Sequence, residues 1–300
     1  MKIAITGAFS YSGKYITQRL LEREEKVFTL TNHPNRSDPF DGKVKAFPLE
    51  FGHEKDLIAN LRGLDVLINT YWIRFDKGDN TQPKAVENTK ILVGAAANAG
   101  VKRIVHISIT NPSPDSHLPY FWGKAANEKA VIDSGMSYAI LRPSVLFGKE
   151  DILINNIAWL LRRFSLFGIP GNGLYKLSPV YVDDLAKLAV EAVYRKDNFI
   201  WDTVGPDEFT FKEMVEMIGK TIGKQNLLIS VPPRLALFAA QLMSIILKDI
   251  MLTQDEVEGL MANLLISQET PRCYTSLRKW LEENKATLGK LYASELARHF

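Results

Sequence analysis

The stretch Lys2-Ile-Ala-Ile-Thr-Gly-Ala-Phe-Ser-Tyr-Ser-Gly-Lys-Tyr-Ile16 decides the fold. The apolar run over residues 3–5 predicts a buried strand, and the apolar residues after Gly13 recur at the spacing of a helix. Gly7 lies between the two and permits a tight turn. A strand, a glycine turn and a helix together aim backbone N–H groups and a helix N-terminus at a phosphate. The stretch therefore predicts a phosphate-binding turn.

Strand and helix signals continue to alternate through the first two-thirds of the chain. Strand signals lie at residues 27–31, 44–49, 64–70, 103–110 and 136–142, and helix signals at 56–61, 85–99 and 152–167. From about residue 205 the pattern becomes mostly helical. Alternation of this kind predicts an α/β fold with a parallel sheet and helices on both faces.

Composition excludes several classes of protein. The 300 residues carry a net charge of +3 with 46% hydrophobic residues and no basic tract, which indicates a globular protein and gives nucleic-acid binding no support. The single cysteine, Cys273, excludes an internal disulfide and a multi-cysteine metal site, so we expect no metal and a reducing, cytoplasmic compartment. Met1 leads directly into the first strand, and we expect no secretory signal.

The longest apolar stretch covers residues 235–247, between Arg234 and Lys248. It is shorter than the ~20 residues that a membrane span requires. We predict no membrane span and a buried helix of the C-terminal region, with peripheral contact to a membrane surface as the alternative.

The end of the second strand bears on the choice of cofactor. In dinucleotide-binding folds an acidic residue usually holds the adenosine ribose at this point. The chain has Thr31 and Asn32 instead, and Arg36 follows, where a guanidinium is suited to pair with a 2′-phosphate. The pattern favours NADP over NAD as the cofactor.

A second set of polar residues lies at the end of the strand predicted over 103–110 and on the helix that follows it. Ser108 and Thr110 are two residues apart, so their side chains point the same way at its C-terminal end, where ligand sites lie in open α/β sheets. Tyr120 and Lys124 follow at i and i+4 on one face of a helix. The ammonium favours the deprotonated phenol, as proton transfer near neutral pH requires. The alternative is that Tyr120 and Lys124 are an ordinary side-chain pair on the surface of a helix, with no catalytic role.

The order of these motifs resembles that of the short-chain dehydrogenase/reductase superfamily. The glycine turn is similar to its TGxxGxxG loop, with Ser10 in place of the middle glycine, and Tyr120 and Lys124 match its YxxxK motif. The resemblance covers roughly residues 1–220. It is nearest to the extended and atypical branch, whose members are epimerase/dehydratase-like, NmrA-like or complex I subunit-like.

The resemblance implies a Rossmann doubly wound parallel sheet with a smaller, mostly helical C-terminal substrate region. We expect an NAD(P)-binding domain over residues 1–204, with a substrate-region insertion near 150–175, and the substrate region over 205–300. Two helix caps are also predicted, Asp183 at the strand-to-helix element and a capping box of Thr210 with Glu213.

The resemblance also implies the site residues. The catalytic set is Tyr120 as acid/base, Lys124 beside it, and Thr110, or as second choice Ser108, on the substrate oxygen. We expect the Ser10 hydroxyl to donate to the pyrophosphate, and Glu50 to replace an aspartate beside adenine. The implied cofactor-binding residues are Gly7, Phe9, Ser10, Tyr11, Gly13, Thr31, Asn32, Arg36, Glu50, Phe51, Asn88, Lys124, Pro143 and Ser144.

The function that follows is an NAD(P)-dependent oxidoreductase acting on a small-molecule carbonyl or alcohol, which the sequence does not name. Two alternatives stay open. One is a non-catalytic NADP(H)-binding regulator or assembly subunit. The other is a sugar-nucleotide epimerase or dehydratase, for which Arg162 and Arg163 would bind the diphosphate. Bulky residues after the fourth strand, Trp72 among them, are expected to pack or to form a wall of the substrate pocket.

Overall fold

The computed structural model describes residues 1–33 and 38–296. In chain order the first elements are β1 (Lys2–Thr6), α1 (Tyr11–Leu21), β2 (Lys26–Thr31), β3 (Lys45–Pro48), α2 (Glu54–Leu61), β4 (Val66–Asn69), α3 (Gln82–Asn98), β5 (Arg103–Ile107), α4 (Pro119–Asp133) and β6 (Ser137–Pro143). They are followed by β7 (Leu146–Phe147), α5 (Leu153–Arg163), β8 (Leu166–Pro170), β9 (Lys176–Leu177), β10 (Val180–Tyr181), α6 (Val182–Tyr194) and β11 (Phe199–Thr203). The last are β12 (Phe209–Thr210), α7 (Phe211–Thr221), β13 (Leu227–Val231), α8 (Pro233–Leu247), α9 (Gln254–Met261) and α10 (Leu277–Asn284).

The chain divides into two compact units. The first contains Met1–Pro143 and Val182–Asp202, and the second contains Ser144–Tyr181 and Thr203–Phe300. Each is described by itself below.

The first unit is built on a seven-stranded sheet in the order β11-β6-β5-β4-β1-β2-β3. The pairs from β3 through β6 are parallel. Helix α1 packs on α6, while α3 packs on α2 and α4. The predicted Rossmann doubly wound α/β fold is thus confirmed.

Strand order reverses between β1 and β4, because the chain runs outward to β3 and then crosses back. Ligands in such sheets bind outside the carboxyl ends of the strands at the point of reversal. Strand β4 is buried along its whole length, and a core of branched aliphatic side chains covers the sheet beside it, including Leu30, Leu67, Leu92 and Ile104. The sheet therefore holds the ends of β1, β4 and β5 rigidly beside one another.

The second unit has short strand pairs and helices around its own apolar core. Strand β13 runs parallel to β8, β10 runs parallel to β7, and β12 runs antiparallel to β9. Phe147, Phe209, Met214, Trp280 and Leu281 are among the buried side chains of the core. The helix predicted over 152–167 ends at Arg163, because residues 166–170 form the strand that pairs with β13.

Helix α8 corrects the expectation of a buried C-terminal helix. It contains the predicted apolar stretch, yet none of its residues is buried. One side of α8 packs on β8, and the other side faces outward. No helix in the described ranges is long and apolar enough to cross a membrane.

The two predicted caps have different outcomes. The capping box of Thr210 and Glu213 at the start of α7 is confirmed in both of its hydrogen bonds. The prediction for Asp183 is wrong, because α6 already begins at Val182. The Asp183 carboxylate instead accepts two hydrogen bonds from the Arg19 guanidinium, at 2.5 and 2.6 Å, and so ties α6 to α1.

Candidate active site

The glycine loop connects β1 to α1 through a tight turn. Gly7 has a φ of +69°, in the left-handed region that favours glycine. A Cβ on Gly13 would lie 2.0 Å from the carbonyl oxygen of Gly7, closer than any side chain tolerates. Both glycines are therefore required by the geometry of the loop, and Gly13 lets the first turn of α1 lie directly on the end of β1.

Ser10 closes this loop from within. Its amide donates to the Gly7 carbonyl at 2.8 Å, and its hydroxyl donates to the same oxygen at 2.6 Å. The predicted donation from this hydroxyl to the pyrophosphate requires the hydroxyl to leave Gly7, and it stays a prediction.

Helix α1 presents its N-terminus at the loop. Ser10 is the N-cap without a side-chain capping bond, and no acidic residue lies in the first turn. The first backbone N–H groups and the positive end of the helix dipole are thus directed at the end of the sheet, as anion binding requires. Phe9 is buried and packs against Phe40 at 6.3 Å between ring centroids, which fixes the loop from the side.

The adenosine end of the predicted site lies at the ends of β2 and β3. Thr31 closes β2, and its hydroxyl accepts from the amide of His33 at 3.1 Å. Glu50 is exposed beside His53, 3.2 Å away, and Phe51 packs on Tyr71 at 5.1 Å. Asn32 follows directly on Thr31, while Arg36 lies outside the described residues.

A buried hydrogen-bond network that sequence reasoning missed crosses β1, β4 and β5. The Thr6 hydroxyl donates to Oδ1 of Asn69 at 3.0 Å, and Nδ2 of Asn69 lies 3.1 Å from Nδ1 of His106. The amide of Tyr71 also donates to Oδ1 of Asn69 at 3.0 Å. Asn69 and His106 are register partners on adjacent strands, and only the strand order reveals this pairing.

The network fixes the proton on His106. Because Oδ1 of Asn69 accepts, Nδ2 must donate to Nδ1 of the imidazole, and the ring proton is assigned to Nε2. Burial, and secondarily the charge of Lys124, lowers the pKa of His106 to about 3. His106 is therefore neutral at physiological pH. Its Nε2 has no hydrogen-bond partner among residues 1–33 and 38–296.

Lys124 lies deep at the carboxyl end of β5. Only 4% of its surface is exposed, and Nζ donates to the carbonyl of Ile107 at 3.0 Å. Burial lowers its pKa to about 7, against a smaller opposing effect of Glu128. One turn on, Glu128 accepts two hydrogen bonds from Arg142, at 2.8 and 2.6 Å, which anchors α4 to β6. The Lys124 amine can therefore exchange a proton near neutral pH.

Trp72 lies across the Tyr120–Lys124 pair. Its ring packs edge-on against Tyr120 at 5.7 Å between centroids, and Nζ of Lys124 lies 5.1 Å from the Trp72 centroid. A Cβ on Gly123 would lie 2.4 Å from Cη2 of the indole, so only glycine admits the ring here. Nζ of Lys124 is 6.0 Å from the Tyr120 centroid. The indole thus covers both residues of the motif.

The remaining site residues of the first unit gather around β5 and the end of β4. The backbone amides of Ser108 and Thr110 donate to Leu141 and Pro143 on β6, at 2.7 and 3.0 Å. The Ser108 hydroxyl is buried and has no partner in the described part of the chain. Asn88 donates to the Tyr71 hydroxyl at 2.9 Å. In the second unit, the Ser144 hydroxyl donates to the carbonyl of Ser178.

These residues fit a dinucleotide at the carboxyl ends of β1 and β5. The loop over residues 7–13 is a cradle that a side chain at position 13 would fill. Beside β5, the Nε2 of His106 and the hydroxyl of Ser108 are buried polar atoms that a polar ligand would satisfy. The residues present therefore suit a phosphate group at the loop and a polar ligand beside Lys124.

Comparison with known proteins agrees with this geometry. The family model described as NAD(P)H-binding matches residues 7–156, which is half of the chain. The mitochondrial NADH dehydrogenase [ubiquinone] 1 alpha subcomplex subunit 9 of Arabidopsis thaliana is 24% identical over 225 residues, 71% of this chain and 56% of that protein. The chain thus spans little more than half the length of this relative.

Two solved structures show the same fold. A nucleoside-diphosphate-sugar epimerase from Staphylococcus aureus matches with a TM-score of 0.74 at 16% identity, covering 94% of this chain and 100% of that one. The Citrobacter sp. triphenylmethane reductase complexed with NADP(H) matches with a TM-score of 0.69 at 18% identity, covering 94% and 99%. The chain therefore belongs to the NAD(P)H-binding family, as its resemblance to the extended and atypical short-chain dehydrogenase/reductases predicts.

Proposed function

We propose that the protein is an NAD(P)-dependent oxidoreductase of the short-chain dehydrogenase/reductase type, acting on a small-molecule carbonyl or alcohol. The observation that carries the proposal is the environment of Lys124. A lysine amine is buried at the carboxyl end of a central strand, four residues after Tyr120, with its pKa lowered to about 7. Burying an amine without a carboxylate partner costs stability, and perturbed groups of this kind concentrate at functional sites.

The loop over residues 7–13 and the N-terminus of α1 would hold the pyrophosphate, and Thr31 and Asn32 the adenosine. A bound nicotinamide cofactor supplies the hydride chemistry. The protein supplies orientation and a proton. In this proposal Tyr120 gives or takes the proton at the substrate oxygen, and Thr110 orients that oxygen, with Ser108 as the second choice.

Lys124 has two roles in the proposal. Its amine, 6.0 Å from the centroid of the Tyr120 ring, would favour the phenolate when protonated, and it would contact the nicotinamide ribose. Both roles require Nζ to leave the carbonyl of Ile107 or to share its hydrogens, since an ammonium has three donors. We propose, as the resemblance implies, that the residues over 205–300 and the insertion near 150–175 form a substrate region.

We further propose a preference for NADP(H), because Thr31 replaces the usual acidic residue and Arg36 follows it in the sequence. Titration of both cofactors into the parent and into Arg36→Ala tests this preference. NADPH should bind more tightly to the parent, and Arg36→Ala should reduce that advantage. Equal or tighter binding of NADH, unchanged in the variant, would exclude the preference.

The catalytic assignment is tested by a screen of carbonyl and alcohol substrates, followed through the absorbance of the cofactor. On any substrate found, Tyr120→Phe should lower turnover by ~10²–10⁴-fold, the usual worth of a general acid/base, and leave cofactor affinity nearly unchanged. Lys124→Ala should impair both. An active Tyr120→Phe protein would refute the assignment.

The position of Trp72 favours a second candidate, a non-catalytic regulator or assembly subunit that binds NADP(H). The indole covers Tyr120 and Lys124, and the Arabidopsis relative is named as a subunit of NADH dehydrogenase. If this candidate is right, the substrate screen gives no turnover, and Tyr120→Phe binds cofactor like the parent. Trp72→Ala separates the two, since an enzyme hindered by the indole should gain turnover and a sensor should not.

The epimerase or dehydratase alternative has weaker support from the second unit. Arg162 donates to the carbonyls of Leu288 and Lys285, at 2.8 and 2.9 Å. The Arg163 guanidinium stacks 4.1 Å from the centroid of Trp159. Both arginines therefore already contact the protein, and a sugar diphosphate would have to displace these contacts.

A further inference from the structure

Helix α8 exposes a continuous apolar face. Leu235, Phe238, Leu242, Ile245 and Ile246 recur at helical spacing, so they share one side of the helix. Their exposed fractions range from 48% for Leu242 to 74% for Ile245. A contiguous apolar face of this kind marks an interaction surface, whereas scattered exposed side chains do not.

The strand pair β8–β13, on which α8 packs through β8, carries two exposed leucines of its own. The helix packs on β8, whose first residue, Leu166, is the register partner of Leu227 on β13. Both leucines are at least half exposed, at 50% and 63%. The Asn226 amide donates to the carbonyls of Leu161 and Phe164, which fixes the loop before β13 beside the end of α5.

Along the chain, the charged residues from the end of α7 through α8 all have one sign, up to the buried Asp249. Residues 217–248 contain no aspartate or glutamate, and their charged residues are Lys220, Lys224, Arg234 and Lys248, all of them exposed. Arg234 and Lys248 lie at the two ends of α8. An apolar helix face with cations at both ends is complementary to an anionic surface that also accepts hydrocarbon, and an anionic lipid bilayer offers both over one area.

From this combination we propose that α8 docks the protein on the surface of an anionic membrane, with the helix parallel to the bilayer. Phe238 and the aliphatic side chains enter the interface, and Arg234 and Lys248 contact lipid phosphates. A second copy of the chain fits this face less well, because two such faces bring like charges together. This inference does not depend on the proposed oxidoreductase activity.

The experiment is co-sedimentation of the full chain with vesicles of phosphatidylcholine alone or of phosphatidylcholine and phosphatidylglycerol in equal amounts. We expect binding to the anionic vesicles at about 0.1 M salt and its loss near 1 M, where the Debye length falls from about 10 Å to about 3 Å. Phe238→Ser/Leu242→Ser should weaken the partition coefficient roughly tenfold or more. The matched control is Leu174→Ser/Leu291→Ser, which removes exposed apolar side chains elsewhere in the second unit.

Two charge-reversal variants test the electrostatic part of the proposal. Arg234→Glu/Lys248→Glu should abolish binding to anionic vesicles, while Lys279→Glu/Lys290→Glu, with the same change in net charge at other exposed positions, should retain most of it. All four variants alter exposed residues, and thermal melts verify their folding. Failure of the parent to bind anionic vesicles would overturn the proposal. Equal losses in the controls, or a dimer that Phe238→Ser/Leu242→Ser abolishes, would overturn it as well.

Discussion

The burial of Lys124 predicts a specific dependence of stability on pH. In the folded protein the pKa of Lys124 is lowered to about 7 by desolvation, whereas in an unfolded chain it is about 10.4. Between these two values the unfolded chain binds one more proton than the folded one. The free energy of unfolding therefore rises with pH across this window, and the contribution of Lys124 is least favourable at and below pH 7.

The magnitude follows from the proton count. One proton corresponds to ~1.4 kcal/mol per pH unit, so the interval from pH 7 to pH 10 contributes up to ~4 kcal/mol. Lys124→Met removes the titrating amine and keeps an unbranched stem. The stability of the variant relative to the parent should therefore be greatest at pH 7 and should fall by that amount toward pH 10.

Urea denaturation of both proteins at pH 7, 8, 9 and 10, followed by circular dichroism, measures this difference. Groups that titrate equally in both proteins cancel. The control is Lys129→Met on the same helix, where the lysine side chain is 77% exposed and pairs with Asp133. This variant should differ from the parent by a constant amount. A constant difference for Lys124→Met as well would show that the amine keeps its charge in the folded protein, and would refute the burial argument.

Three further outcomes test the geometry of the site. Gly13→Ala should cost roughly 1–3 kcal/mol of stability or more and abolish cofactor binding, since its Cβ would lie 2.0 Å from the Gly7 oxygen. Gly94→Ala, where a Cβ meets nothing within 4 Å, should be neutral or stabilising by up to ~1 kcal/mol, and equal effects of the two would contradict the close packing. Ser10→Ala distinguishes the predicted bond to the pyrophosphate, whose loss should weaken calorimetric affinity at unchanged stability, from the bond to Gly7, whose loss should lower stability by ~0.5–1.5 kcal/mol with little change in affinity. Gly123→Ala should displace the Trp72 indole and change the tryptophan fluorescence, a change that must vanish in a Trp72→Phe background if the 2.4 Å contact is its cause.

Much of the fold could be predicted from the sequence because the signals that specify it are local. A strand is marked by apolar residues that are neighbours in the chain, and a glycine turn by one residue that tolerates a positive φ. The glycine loop and the order of strands and helices in the first unit were recognisable for this reason. The capping box of Thr210 and Glu213 joins residues three apart, and it forms as predicted.

Partners that are distant in the chain could not be predicted in this way. Asp183 binds Arg19 across 164 residues instead of capping its own helix, because the packing of α6 on α1 brings the guanidinium to it. Asn69 meets His106 only because β4 and β5 are adjacent and in register. Trp72 covers Lys124 only because α4 carries a glycine where the indole lies.

The apolar stretch over 235–247 also shows that the sequence predicts an element but not its burial. Its sequence determines a helix with little affinity for water, and that is what forms. Whether such a helix is buried depends on how much of its circumference other elements cover, and here no residue of α8 is covered enough to be buried. Periodicity and turn chemistry act within a few residues, and the sequence alone therefore determined the elements of this protein and their order. The non-local contacts decided which side chains those elements bury, pair or leave exposed.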